Sequence, residues 1–198
     1  MPLTKQYAST RSFSIFDPLM KRKQLLSSEH LELTLNRLCQ QLIENHGDFS
    51  DTVIIGLQPR GIYLARRLHK KIASLLKNPN IHLGELDSTF YRDDFRKRNP
   101  VAANSINMDF IIEDKNVVLV DDVLYTGRTI RAGLDAMLDF GRPRKVELLV
   151  LIDRRYSRHL PIQPDYVGKH VDTIVSQNVK AEWKETDGND RVWLIMND

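Results

Sequence analysis

Chemistry in this chain concentrates between Val117 and Thr129, which read Val-Val-Leu-Val-Asp121-Asp122-Val123-Leu124-Tyr125-Thr126-Gly127-Arg128-Thr129. An apolar strand ends in two adjacent carboxylates, a short turn with hydroxyls and one glycine follows, and a helix begins. Carboxylates at a strand's carboxyl end accept hydrogen bonds from a sugar diol or hold Mg²⁺ through its waters. The Thr126–Thr129 turn offers backbone N–H groups, two hydroxyls and the positive end of a helix, which together suit a phosphate. Side by side, the two features suit a phosphorylated ribose. Two other readings compete. Paired acids after a strand are also what a solvated turn with a helix cap looks like. Gly127-Arg128-Thr129 matches the tail of a nucleotide-triphosphate P-loop, but the leading glycine is absent and Arg replaces the phosphate-gripping Lys.

The elements that must position these groups follow from hydrophobic periodicity. Ser27 or Ser28 caps a helix with the apolar stripe Leu31, Leu35, Leu38, Leu42 and Ile43, stopping near Gly47. Thr52–Leu57 is a short buried strand. Helical spacing returns from Gly61 through Ile62, Ala65, Leu68, Ile72 and Leu75, ending before Pro79. A strand at Ile81–Asp87 is followed by a polar stretch, Arg92 to Asn107, that reads as a long mobile loop. Then come a strand at Val117–Asp122, a helix at Thr129–Phe140 closed by Gly141, and a strand at Lys145–Ile152. Alternation of this kind predicts an α/β fold, a three-layer sandwich with a mostly parallel central sheet. Val171–Ile174, Lys180–Trp183 and Arg191–Met196 are short strand-like runs that predict a small β-rich hood. Ligands collect beyond the carboxyl ends of strands in such sheets, where Gln58–Gly61, Asp87–Arg92, Asp121–Thr129 and Asp153-Arg154 all fall.

Composition narrows the class. The 198 residues carry 29 Lys+Arg against 26 Asp+Glu, a net charge of +3. That is neither a nucleic-acid footprint nor a membrane-binding patch at whole-chain level. The lone Cys39 rules out an internal disulfide and suits a reducing cytosol; its place on an apolar helix side predicts packing rather than catalysis. No apolar run approaches the ~20 residues of a membrane span. Residues 1–16 lack acids and contain Lys5 and Arg11, as a transit peptide would, yet Pro2, Asp17 and Pro18 interrupt any amphipathic helix. A flexible extension over 1–24 is expected, then one domain over 25–198 with the mobile loop at 92–108 and the hood at 155–198.

The run from Val117 to Thr129 resembles the phosphoribosyl-pyrophosphate (PRPP) signature of type I phosphoribosyltransferases. With Tyr125 before Thr126-Gly127 it is similar to one branch, the PyrR family of pyrimidine operon regulators and uracil phosphoribosyltransferases. Further matches are Gly56-Leu-Gln-Pro59-Arg60-Gly61-Ile-Tyr-Leu-Ala65, Gly84-Glu-Leu-Asp87, Tyr91-Arg92-Asp93-Asp94 and Asp139-Phe-Gly141-Arg142-Pro143. Leu160-Pro-Ile-Gln-Pro-Asp-Tyr166-Val-Gly168-Lys169 completes the set, which runs from about Leu26 to the C-terminus.

The resemblance implies transfer of a phosphoribosyl group from PRPP to uracil, giving UMP and pyrophosphate. Asp121 and Asp122 would bind the ribose hydroxyls, with Mg²⁺ held mostly through PRPP oxygens and water. Val123, Leu124, Tyr125, Thr126, Gly127, Arg128 and Thr129 would complete the PRPP loop around the 5′-phosphate. Pro59, Arg60 and Gly61 correspond to the pyrophosphate loop, with a cis peptide beside the Arg; the family's usual Thr is Pro59 here. Arg60 and Arg92 would supply cations to the leaving group. Purine-using relatives carry Asp at the Tyr125 position, and a phenol with a reference pKa of about 10 is a poor base, so a pyrimidine acceptor is expected. Base recognition would fall to Arg154, Lys169, Val171 and Val179.

The same resemblance raises binding of messenger RNA by a basic face on the first helix. Here Asn36, Gln40, Asn45 and Gln163 replace residues of RNA-binding relatives, while Arg37 and Lys169 remain. Fewer cations weaken phosphate attraction, which ranks regulation below catalysis. A purine-base transferase with a different hood is the third alternative. A cytoplasmic homodimer or homotetramer is expected.

Overall fold

The computed structural model describes residues 16–17, 21–91, 107–174 and 176–196. A first short strand, β1 (Phe16–Asp17), precedes β2 (Arg22–Leu26), α1 (Ser28–His46), β3 (Thr52–Leu57), α2 (Gly61–Leu76) and β4 (Leu83–Leu86). Then come β5 (Asn116–Leu124), α3 (Arg128–Met137), β6 (Lys145–Arg155), β7 (Tyr166–Asp172), β8 (Gln177–Glu182), α4 (Lys184–Asp187) and β9 (Arg191–Met196).

Two sheets organise the chain. The central one is parallel throughout, in the order β4-β3-β5-β6-β7. Its strands alternate between two apolar clusters, because successive side chains leave opposite faces. Val118, Val120, Leu149 and Leu151 join α1 and α2 on one face. Val117, Leu119, Leu148 and Val150 join Ile130, Ala136 and Met137 of α3 on the other. The α/β three-layer arrangement is the expected one.

Helix boundaries follow local chemistry. The Ser27 hydroxyl accepts the His30 N–H at 3.3 Å and so caps α1, whose Leu31, Leu35, Leu38, Cys39 and Leu42 are buried. Leu75 departs from the expected apolar stripe of α2: it is 54 % exposed. Helix α3 tightens into a 3₁₀ turn at Leu138–Phe140 before Gly141.

The second sheet is antiparallel, in the order β1-β2-β9-β8. It forms the hood, whose Ala181, Trp183 and Val192 are buried against the α1/α2 side of the core. Two expected boundaries shift. Lys23 and Gln24 pair with Leu194 and Trp193, and the Arg22 guanidinium lies 4.3 Å from the Trp193 ring centroid. The limit at residue 24 therefore cuts through a hood strand. Conversely, the run containing Val171 is the fifth strand of the central sheet, in register with β6 from Leu149–Tyr166 to Arg155–Asp172. Within the expected loop 92–108, residues 92–106 lie outside the described residues. Asn107 exchanges backbone hydrogen bonds of 2.9 and 3.1 Å with Glu85, and Met108 packs on the α3-side core.

Candidate active site

Strand β5 runs two residues past the paired acids, since Val123 and Leu124 continue the ladder opposite Ile152 and Asp153. Asp121 and Asp122 thus sit within a strand rather than beyond it, at 8 % and 9 % exposure. The Asp122 N–H donates to Asp121 Oδ1 at 2.9 Å. Helix α2 begins directly against them. A Cβ on Gly61 would lie 2.6 Å from the Val120 carbonyl oxygen and 2.9 Å from Asp121 Cα. Only glycine allows this approach.

Burial pushes the Asp122 carboxyl up to about 6, against the pull of the Arg60 guanidinium, whose Nε lies 3.7 Å from Oδ2. That Nε is itself buried with no hydrogen-bond partner among the described residues. No group of three or more His, Cys, Asp or Glu among the described residues could cage a metal ion. The acid pair would fit Mg²⁺ only in a limited way, with substrate oxygens and water supplying most of its ligands.

The segment Gln58-Pro59-Arg60 links strand β3 to α2. The Gln58–Pro59 peptide is cis, so the cis bond precedes Pro59 and does not adjoin Arg60. The Arg60 side chain turns toward the hood. Its Nη2 donates to the Ala181 carbonyl at 2.6 Å and to Asp187 Oδ2 at 2.7 Å. Sequence reasoning missed Asp187, because nothing in its Asp-Gly turn pairs it with a residue so distant in the chain. Arg92 lies outside the described residues.

After β5, Gly127 adopts φ 90°, a left-handed conformation that glycine favours, and α3 starts at Arg128. The Arg128 N–H donates to Thr126 Oγ1 at 3.4 Å, and the Gly127 carbonyl accepts from Arg131 N–H at 2.9 Å. Tyr125 does not face solvent alone: the Arg154 guanidinium stacks 3.8 Å from its ring centroid. Arg154 is 3 % exposed and donates from Nε to Thr173 Oγ1 at 3.1 Å and from Nη2 to the Gln177 carbonyl at 2.7 Å. Burial lowers its pKa from the ordinary arginine value, with Tyr125 acting in the opposite sense.

The four candidates for base contact separate. Val171 is the direct β7 neighbour of Arg154, and Val179 packs on the same core. Lys169 does not join them. Its ammonium is exposed and donates to the Leu25 carbonyl at 3.0 Å, beside a cleft lined by His30, Thr34 and Arg37. The long stem reaches the backbone of β2. Three of the α1 positions raised for RNA contact also have internal partners. Arg37 donates to the Val167 and Gly168 carbonyls at 2.9 and 2.7 Å, which caps part of the β7 backbone. Asn45 donates to the Tyr166 hydroxyl at 2.8 Å, and Asn36 accepts from Lys71 at 3.0 Å.

A parallel sheet carrying an acid pair, a glycine-led helix and a left-handed glycine turn at one end is the architecture of type I phosphoribosyltransferases. Residues 21–186 match the family described as phosphoribosyl transferase domain. Solved structures with the same fold include a hypoxanthine phosphoribosyltransferase from Staphylococcus aureus, with TM-score 0.64 and 20 % identity, covering 88 % of this chain and 92 % of that one. Another is the hypoxanthine phosphoribosyltransferase of Trypanosoma cruzi, with TM-score 0.66 and 15 % identity over 88 % and 97 % of the two chains.

Within that class, three curated relatives narrow the assignment. "Bifunctional protein PyrR" of Desulfosudis oleivorans is 48 % identical, with 87 % of this chain and 95 % of the relative covered. Its namesakes in Enterococcus faecalis and Bacillus subtilis are 42 % and 41 % identical, each with 88 % of this chain and 97 % of the relative covered. The chain belongs to the PyrR family.

Proposed function

We propose that this phosphoribosyltransferase moves the 5-phosphoribosyl group of PRPP to uracil, forming UMP and pyrophosphate with Mg²⁺. The observation that supports this most is the buried Asp121–Asp122 pair, packed against Gly61 of α2 and continuous with the Gly127 turn. Displacement of pyrophosphate from ribose C1 leaves positive charge on the sugar and negative charge on the leaving group, so positioning and cation placement carry catalysis. Asp121 and Asp122 accept from the ribose hydroxyls and fix the ring. Thr126 to Thr129 hold the 5′-phosphate at the amino end of α3. The Pro59-Arg60-Gly61 segment opens α2 where the pyrophosphate departs. Mg²⁺, when bound, neutralises pyrophosphate oxygens. Tyr125 stacks with Arg154 where purine-using relatives carry a carboxylate, which suits uracil over a purine.

Uracil, hypoxanthine and guanine assayed separately with PRPP and Mg²⁺ test the reading. UMP is the expected product; turnover only with purines refutes it. Metal removal with a chelator should abolish the transfer.

A second reading, RNA-dependent control of pyrimidine genes, is favoured by the name of the relatives, each a bifunctional protein. Against it stand the internal engagements of Arg37, Asn36 and Asn45. A gel-shift on the organism's pyrimidine leader RNA across a salt series separates the two, with weak, unselective binding expected. We place the protein in the cytoplasm as a homodimer or homotetramer, which sedimentation of the purified chain would check.

A further inference from the structure

Beneath the Gly127 turn lies a second layer that neither the motif nor the acid pair involves. The segment after β6 folds back under the turn, and its Arg158 meets four backbone carbonyls. Nη1 donates to the carbonyls of Leu124 at 3.2 Å, Arg154 at 3.1 Å and Tyr125, while Nε donates to Ile162 at 3.1 Å. The remaining nitrogen pairs with Asp153, which is buried and whose other oxygen lies 3.0 Å from His170 Nδ1. Next to Arg158, the His159 and Leu160 N–H groups both donate to the Thr126 carbonyl, at 3.0 and 3.3 Å.

The consequence follows from peptide geometry. In a planar trans peptide the C=O of one residue and the N–H of the next point in opposite directions. Pinning the Tyr125 carbonyl downward turns the Thr126 N–H upward, and pinning the Thr126 carbonyl does the same for Gly127. Two consecutive N–H groups are thereby aimed away from the Arg158 layer. A guanidinium bound to a carbonyl also polarises that peptide, which strengthens its N–H as a donor. Asp153 fixes the planar fork in place, a job for which Lys is no substitute.

We propose that Arg158 is a positioning residue for the 5′-phosphate: from behind the turn, it presets the Thr126 and Gly127 amides as phosphate donors. This rests on the reading of the turn as a phosphoribosyl site. It adds that the affinity of the turn is set by a residue that never touches the ligand.

Titration calorimetry of the full chain with ribose 5-phosphate, and separately with Mg-pyrophosphate, tests it independently of the acceptor base. Arg158→Gln should weaken ribose 5-phosphate binding roughly tenfold, as small misplacements of positioning groups do, while pyrophosphate binding stays the same. Arg158→Lys should fall between the two. Unchanged ribose 5-phosphate affinity in a folded Arg158→Gln protein overturns the proposal and leaves the phosphoribosyl reading standing. Failure of the wild-type chain to bind ribose 5-phosphate removes both. If neither variant folds, amide spectra of the wild type decide: Thr126 and Gly127 N–H resonances must move on adding ribose 5-phosphate, and stationary resonances overturn the proposal.

Discussion

Arg60 and Asp187, 127 residues apart in sequence, meet at 2.7 Å and join the opening of α2 to the hood. Burial alone would push the Asp187 carboxyl up, but the Trp183 N–H, the Thr186 hydroxyl and the Arg60 guanidinium hold it well below the usual carboxylate range. The same guanidinium faces Asp122, so one side chain touches both the hood and the acid pair. Asp187→Asn keeps the shape and removes the charge. It should lower stability by about 1–3 kcal/mol, the usual effect of leaving a partly buried cation without its partner, as urea unfolding would register. Transfer should slow as well, because Arg60 loses its anchor; an unchanged rate would show that the hood does not constrain the loop.

Asp122 makes the metal-free chain respond to pH in a defined sense. Its folded pKa of about 6 exceeds that of an ordinary aspartate, so the folded state binds the extra proton. The stabilising effect of that proton is complete below the unfolded pKa near 4 and is lost as pH rises through about 6. Asp122→Asn should therefore be more stable than the wild type at pH 7, by about 1–3 kcal/mol, and should show little gain at pH 4. It should also abolish transfer. Urea midpoints at the two pH values check the first part, and an unchanged transfer rate would exclude the diol role.

Gly61 is the point where helix and strand touch. Gly61→Ala inserts a methyl against the Val120 carbonyl and Asp121. The backbone cannot yield as a side-chain tip would, so destabilisation of about 1–3 kcal/mol is expected. Loss of transfer should exceed what the lost stability explains, because the displaced atoms belong to Asp121. Kinetics well below the melting temperature separate the two effects.

The Tyr125 ring matters more than its hydroxyl. Tyr125→Phe keeps the face on which Arg154 stacks and should retain transfer to uracil within about threefold, since a cation–π contact survives in Phe at somewhat lower strength. Tyr125→Ala removes the platform of a buried guanidinium and should raise the KM for uracil at least as much as it lowers kcat. A strong loss in Tyr125→Phe would mean that the phenol takes part in proton transfer.

Much of this was legible in the chain itself, and the exceptions share a cause. Leu31, Leu35, Leu38 and Leu42 fixed α1 because a core-facing stripe has a period that no strand shares. Thr52–Leu57 read as a strand with its observed limits because all six residues are buried. The acid pair was legible from its apolar lead-in, whereas its position inside β5 depended on pairing with β6, which one-dimensional spacing does not encode. Val171 was assigned to the hood for the same reason: a short β-branched run carries no label for the sheet it joins. Arg158 and the caps that Arg37 makes on β7 act through backbone carbonyls, which have no residue type to read, and Asp187 meets Arg60 across 127 residues of chain.

The hood has a kinetic history written into its connectivity. Lys23 pairs with Leu194, so during translation β2 leaves the ribosome roughly 170 residues ahead of its partner. At about 5–20 residues per second, its apolar Leu25 and Leu26 wait on the order of 10–30 s beside an open strand edge. Central-sheet assembly can begin in that interval, but the hood sheet cannot close until β9 has emerged to pair with β2.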